Sequence, residues 1–437
     1  MHPANFAAAA VVFTACATPE ERAQDESVGL WSSTSTRDEV SSKVERVSPK
    51  LSVPITFPDV PTSQTTVTFS SAAQGSIRLL LSGAANQHGS ERRGGVCRTL
   101  GGSIPSGVHC RALGQPIATT AHPLLSLAPD AKTWVLDPSS ETGSFLRDDA
   151  GSSLSVRGFY SQGFAYVDAD GIVRGQSGGH RLILNQSGEP REQQVSGIAE
   201  RTAFMGDLAL VGENGALRVQ RIAKDGTLAD LVEIPQVERI GSVKACHDGR
   251  AFGFLSYGGG EAVAAIPSAD GGLDISRVKV DVDAVTMDGR AASISCRPGE
   301  LTLTWLSTDS RVKQVVCTTH ACVARESAAV RGENHLAVIP AVVLDLAGQV
   351  LLVRYVPRSL GVTDRIVYRL ASIETVHEVS DRLLIAEGPN GVQPRELFYD
   401  PKAQTNGDCA VVAVSSADGF YLFRVDKDGS AEGLSAE

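Results

Sequence analysis

The sequence predicts an all-β fold, a β-propeller of about seven blades (six to eight), and three observations carry that prediction. The first is a repeated phrase: an apolar run, a Gly-bearing polar turn, a second apolar run. It reads 163–167 then DADG, 207–211 then GENG, 251–255 then SYGGG, 301–306 then STDS, and 410–414 then SSADG. Each is a β-hairpin pattern. The second is the turn chemistry. Asp-Gly begins at 170, 225, 248, 270, 288, 418 and 428, and Asn-Gly at 214, 390 and 406; these dipeptides supply the positive φ of tight antiparallel turns. The third is a super-period. The centres Phe164, Leu208, Phe252, Leu303, Leu352 and Val412 are 44, 44, 51, 49 and 60 residues apart. Periods of 40–50 residues built from about four strands mark propeller blades, since a lone four-stranded sheet leaves two apolar faces uncovered.

The elements follow in chain order. Residues 6–13 are an apolar stretch, FAAAAVVF, ending at Thr14-Ala15-Cys16. An apolar core closed by small residues fits an export signal. Phe13-Thr14-Ala15-Cys16 resembles the lipobox of bacterial lipoproteins, although no Lys or Arg precedes the run and Phe13 stands where Leu is usual. The resemblance implies that 1–16 is a signal peptide and that Cys16 is lipidated as the first mature residue. The expected location is the cell envelope outside the cytoplasm, with a secreted protein as the other outcome. Membrane contact is through this lipid only, since no other stretch approaches a span. Residues 17–60 are polar, Ser/Thr-rich and mixed in charge; they read as a disordered tether ending in the Pro-punctuated LSVPITFPDVP. Residues 61–437 are the propeller domain.

Within it the strands alternate. Leu301, Leu303 and Trp305 point one way, Thr302 and Thr304 the other. The inner strands are expected at 163–167, 207–211, 251–255, 301–306, 350–355 and 410–414. Asp207 is the one acid among them, which weighs against catalysis in a central channel. The stretch 242–257 matches 293–308. The whole of 65–437 resembles bacterial exported β-propeller repeat proteins, at the level of architecture. The Gly-His and Trp-Asp pairs of WD40 blades and the spaced Gly-Gly, Tyr and Trp of Kelch blades do not recur, so no subfamily is implied.

The chain has 8 cysteines, and they favour an oxidising compartment. Cys317 and Cys322 lie in CTTHAC between two strand-like runs, a natural hairpin staple. Cys97 and Cys110 flank RTLGGSIPSGVH, a natural loop clip. Cys246, Cys296 and Cys409 each precede an apolar strand at equivalent places in different repeats, which fixes no pairing. With Cys16 lipidated the remainder is odd, so at least one thiol is free.

Candidate chemistry is sparse. Gly175-Gln176-Ser177-Gly178-Gly179 and Thr120-Ala121-His122, with Asp137 or Asp148, resemble the segments of a chymotrypsin-like protease. Yet Ser177 and His122 are too close in sequence for two barrels, and no helix follows for a nucleophile elbow. Asp168-Ala-Asp170-Gly171 and Asp426-Lys-Asp428-Gly429 lack the first acid and the distal Glu of a calcium loop. Cys317, His320 and Cys322 are one ligand short of a closed zinc site. The mild net charge of -10 and 5% aromatics argue against nucleic-acid binding. No cofactor is implied, and 3 Trp are too few for quinone-type docking repeats. The reading is an exported, membrane-tethered propeller that binds or scaffolds an unknown protein or glycan partner in the cell envelope, through loops 86–106, 356–364 and 387–404. The alternatives are an exported propeller enzyme, hydrolase or oxidoreductase, and a purely structural envelope protein.

Overall fold

The computed structural model describes residues 49, 53–57, 66–71, 76–84, 91–113, 116–118, 122–124, 134–140, 143–148, 153–156, 166–167, 173–174, 180–184, 190–194, 202–205, 208–213, 215–223, 225–237, 244–246, 251–256, 260–281, 293–307, 309–330, 341–357, 363–387, 397 and 401–437. They form eight antiparallel blades in chain order, at the top of the predicted range. Blade 1 comprises Thr66–Ser71, Ile77–Ala84, Glu91–Leu100 and Gly107–Ala112, with Ile117–Ala118 added to its third strand. Blade 2 comprises His122–Leu124, Trp134–Ser140, Gly143–Asp148 and Ser153–Val156. Blade 3 is two adjoining hairpins, Tyr166–Val167 with Val173–Arg174 and His180–Leu184 with Pro190–Gln194. Blade 4 comprises Thr202–Met205, Leu208–Glu213, Ala216–Ile222 and Leu228–Ile234. Blade 5 comprises Lys244–Ala245, Phe252–Ser256, Glu261–Pro267 and Leu273–Lys279. Blade 6 comprises Ser293–Arg297, Glu300–Leu306, Val312–Thr318 and Cys322–Glu326. Blade 7 comprises Ala341–Leu346, Gln349–Val356, Arg365–Ala371 and Arg382–Ala386. Blade 8 comprises Lys402–Thr405, Cys409–Ser416, Gly419–Asp426 and Ala431–Leu434.

The turns set the registers. In blade 7, Leu346 pairs with Gln349, so the turn has two residues, Ala347 at φ 53 and Gly348 at φ 86. Positive φ at both central positions makes a hairpin whose twist matches that of its strands.

Blade 6 is buried on both faces. Leu255, Ala262 and Ala264 of blade 5 pack with Leu301, Leu303 and Trp305 of blade 6. The opposite face of blade 6 is buried too: Thr302 is 4% exposed and Thr304 0%. The strict alternation in the sequence therefore separates two inter-blade seams, not core from solvent.

The first strands of blades 5, 6, 7, 8, 1 and 2 lie side by side in that order, which places that edge of each sheet at the axis. The apolar runs expected to be inner strands are instead the second strands of blades 4 to 8; in blade 3, Tyr166–Val167 is a first strand. The reason is burial. A second strand has a sheet neighbour on each side and a blade on each face, as in Cys409–Ser416, buried throughout. An axial strand has a free edge, and Lys402–Thr405 is half-buried along its length. The strongest hydrophobic signal thus marks mid-blade strands.

The ring closes between blades 8 and 1. Ile55 pairs with Phe420, its N–H donating to the Phe420 carbonyl at 2.8 Å and its carbonyl accepting from the Phe420 N–H at 3.0 Å. The C-terminal residues cross the other way: Val108 N–H donates to Ser435 O at 3.0 Å and Glu437 N–H to Val108 O at 2.9 Å. Residues 53–57, placed by composition at the end of the tether, are thus part of the ring. The second boundary to move is the loop 86–106, whose residues 91–100 are a strand. ERRGGVCRTL hides its strand because Gly94 and Gly95 stand where a chain must approach closely. A Cβ on Gly95 would lie 2.2 Å from the Phe57 ring and 2.4 Å from Arg111 O. Gly95→Val is therefore expected to expel Phe57 and lower stability by about 1–3 kcal/mol. Urea unfolding checks it; an unchanged midpoint would mean that Phe57 is not a closing residue.

Candidate functional site

Blade 6 sets the geometry for the rest. Its first-to-second turn and its third-to-fourth turn lie at one end of the sheet, because successive strands are antiparallel. The same holds in every blade of this order, so the third-to-fourth turns share one face of the ring. On that face, side chains reach forward from one blade to the next. Arg221 of blade 4 donates to Gly271 O in the turn of blade 5. Ser276 of blade 5 donates to Thr318 O of blade 6 at 3.2 Å. Arg297 of blade 6 pairs with Asp345 of blade 7 at 3.7 Å. Arg382 and Tyr368 of blade 7 donate to Gly429 O of blade 8 at 2.6 and 2.9 Å. Arg424 of blade 8 donates to Pro105 O of blade 1 at 2.6 Å, and Asn406 to Ser103 O at 2.8 Å. On the opposite face the sense reverses. Arg277 of blade 5 donates to Pro235 O after blade 4 at 2.6 Å, and Lys313 of blade 6 to Asp281 O after blade 5 at 3.1 Å.

Three turns of this face are also fixed from within. Asp225 accepts from Thr227 N–H at 3.0 Å and Thr227 Oγ1 at 2.7 Å. Asp270 accepts from Gly272 N–H at 2.9 Å and from Ser268 Oγ. Asp428 accepts from Ser430 N–H at 2.8 Å and Ser430 Oγ at 2.7 Å. Such bonds favour the ionised carboxylate, and all three carboxyls are held below the ordinary range: Asp225 by the Thr227 backbone and hydroxyl, Asp270 by Ser268 and Gly272, Asp428 by Ser430. Each is an Asx turn. Asp426-Lys-Asp428-Gly429 is therefore a hairpin turn, with Asp426 paired to Arg424 at 3.0 Å.

In blades 1 and 6 the corresponding hairpin carries a disulfide instead. Cys97 is joined to Cys110 and Cys317 to Cys322, each a directly opposed pair on third and fourth strands. His320 then lies exposed in a disulfide-closed turn. The pairing that the sequence left open is Cys246 with Cys296, between the axial strands of blades 5 and 6. Cys409 is the free thiol among the described residues, fully buried, and burial pushes its pKa up to about 12. Three disulfides fit an extracellular, oxidising location.

Two carboxylates, one buried and one half-buried, went unread in the sequence. Asp345 is 3% exposed on the axial strand of blade 7; it stands on a first strand, outside the apolar runs taken as inner. Asp381 precedes the fourth strand of blade 7 and accepts from Arg369 Nε and Arg354 Nη2. Burial alone would raise its pKa, but the Arg369 hydrogen bond and the Arg354 charge outweigh it and hold the carboxyl low.

The remaining sequence candidates are placed as follows. His122 opens the axial strand of blade 2, with Asp137 and Asp148 in the second and third strands. Cys16, Ser177, Asp168, Asp170 and Asp207 lie outside the described residues, as do 358–362 and most of 387–404. Among the described residues no three His, Cys, Asp or Glu side chains gather as a metal site.

No protein-family model and no curated protein matches the chain. Solved structures that resemble it include a protein from Lactobacillus plantarum, at 11% identity over 82% of this chain and 98% of that one, TM-score 0.39. The dihydro-heme d1 dehydrogenase NirN is similar at 11% identity over 89% and 78%, TM-score 0.34. A puromycin-hydrolyzing peptidase of Mycobacterium tuberculosis is similar at 13% identity over 88% of this chain and 55% of its own, TM-score 0.40.

Proposed function

We propose that this protein is an exported β-propeller, anchored at the cell envelope through a lipid on Cys16, that binds or scaffolds a protein or glycan partner there. The observation that carries the reading is the preorganised turn face. Its turns are locked internally by Asp225, Asp270 and Asp428, and those of blades 5 and 8 also externally by the preceding blade. A surface already ordered loses little conformational entropy when a partner settles on it. Export is supported by the disulfides, which a reducing cytosol would not keep.

The test is expression in a bacterium with the native N-terminus, followed by intact-mass analysis and cross-linking in the membrane fraction. The expected result is a mature chain beginning at acylated Cys16, with a cross-linked envelope partner that is lost in the triple variant Asp225→Lys, Asp270→Lys, Asp428→Lys. An unprocessed, fully reduced chain would overturn export. Undiminished cross-linking by a folded triple variant would overturn the turn face as the binding surface.

A further inference from the structure

We infer that the ring has a built-in gate, the seam between blades 8 and 1, which opens locally while the other blades stay stacked. The argument is one of connectivity. Every other seam is crossed by the polypeptide itself, running from a fourth strand to the next first strand. The seam between blades 5 and 6 is crossed a second time by Cys246–Cys296. Among the described residues the closing seam has no covalent link. Two terminal straps hold it, 53–57 on the third strand of blade 8 and 435–437 on the fourth strand of blade 1, each with two backbone hydrogen bonds.

The rest of the seam is side-chain work. Phe57, Phe420, Leu422 and Leu434 pack with Ile77, Leu79 and Leu81 of blade 1. The turn 101–106 is received by Asn406 and Arg424. Local opening begins where few contacts must be lost together, and here both straps are short segments outside the four strands of any blade, which can leave without unfolding one. Ile55 covers the edge of Phe420 where the fourth strand of blade 8 turns away to blade 1, so release of the N-terminal strap frees a strand edge.

The seam contains its own probe. Cys409 is fully buried there, its Sγ 3.5 Å from Ser103 O of blade 1. A thiol in that position reacts only when the turn 101–106 has moved away.

The experiment follows iodoacetamide labelling of the oxidised full-length protein, located by peptide mass spectrometry at Cys409, from zero to moderate urea. At low urea, labelling is expected to depend only weakly on urea, as befits an opening that exposes little surface. Deletion of 435–437, which removes that strap's two backbone hydrogen bonds, or Ile55→Ala, which removes the buried side chain that seats the other strap, should raise its rate by about tenfold. Arg221→Ala, which loosens the seam between blades 4 and 5, should leave it unchanged. Labelling that follows global unfolding at every urea concentration, with strap variants no faster than Arg221→Ala, would overturn the gate. If the strap variants do not fold, hydrogen exchange of the unaltered protein decides. The amides of Val108, Phe420 and Glu437 should exchange together and ahead of Leu303; exchange at one common rate would refute the inference.

Discussion

Replacing Cys246 and Cys296 together by serine is expected to cost the ring about 4 kcal/mol, against about 3 for the Cys97–Cys110 pair and about 2 for Cys317–Cys322. The order comes from the loops that the bonds close in the unfolded chain, which span 50, 13 and 5 residues. A cross-link that closes a longer loop removes more unfolded-state entropy. Geometry points the same way. Cys97–Cys110 and Cys317–Cys322 join strands already paired along their length, whereas Cys246–Cys296 joins two separate sheets. Urea unfolding of the three double-serine variants measures the series. Equal losses in all three would show that the stabilisation is local to each bond and not a matter of loop length.

The second large effect is at Asp381. Its carboxylate lies between two arginines, with side-chain exposures of 12% for Asp381, 17% for Arg354 and 8% for Arg369. Asp381→Ala removes the carboxylate shared by the buried Arg369 and the half-buried Arg354. A loss of about 3–5 kcal/mol is expected. The triad also gives stability a pH dependence of definite sign. The folded carboxyl titrates below its ordinary 3.8, so the unfolded chain binds a proton more readily than the native one. The contribution is fully present above that ordinary value and is lost as pH falls through the lower, folded value. Unfolding followed from pH 7 down to pH 2 should therefore lose a step that Asp381→Ala has already lost. An acid limb unchanged by the substitution would show that the pair is screened by solvent.

The architecture was legible in the sequence because hairpins are local: the Asp-Gly and Asn-Gly turns and the apolar runs each report on neighbours a few residues away. Radial position was not. Hydrophobicity is highest where a strand is enclosed on four sides, so Leu301–Leu306 and 410–414 stood out, while the axial strand SISCR was not singled out as an inner strand and most of KAQT fell within the loop read at 387–404. The same lack of radial information hid the Cys246–Cys296 bond. Equivalent positions in successive blades diverge with distance from the axis, and at the axis they come within a Cα–Cα distance of 5.8 Å. The opposed pairs Cys97–Cys110 and Cys317–Cys322 needed no such information, since a short loop between strands is enough. The seam contacts of Arg221, Arg382 and Arg424 were invisible for another reason. Their acceptors are backbone carbonyls, which every residue possesses and no composition reveals.

Those forward-reaching donors also bear on how such a chain could have grown. Blades 4 to 8 each hold the blade ahead, and blades 5 to 8 are each held by the blade behind, blade 8 holding blade 1 in turn. Copying one of these units in the gene would place it between partners that already carry the matching half of the contact, and deleting one would bring two matching halves together. The unit of inheritance is then the blade with its outgoing side chain, and the spacing between units is free to drift, as the uneven steps between successive apolar centres record.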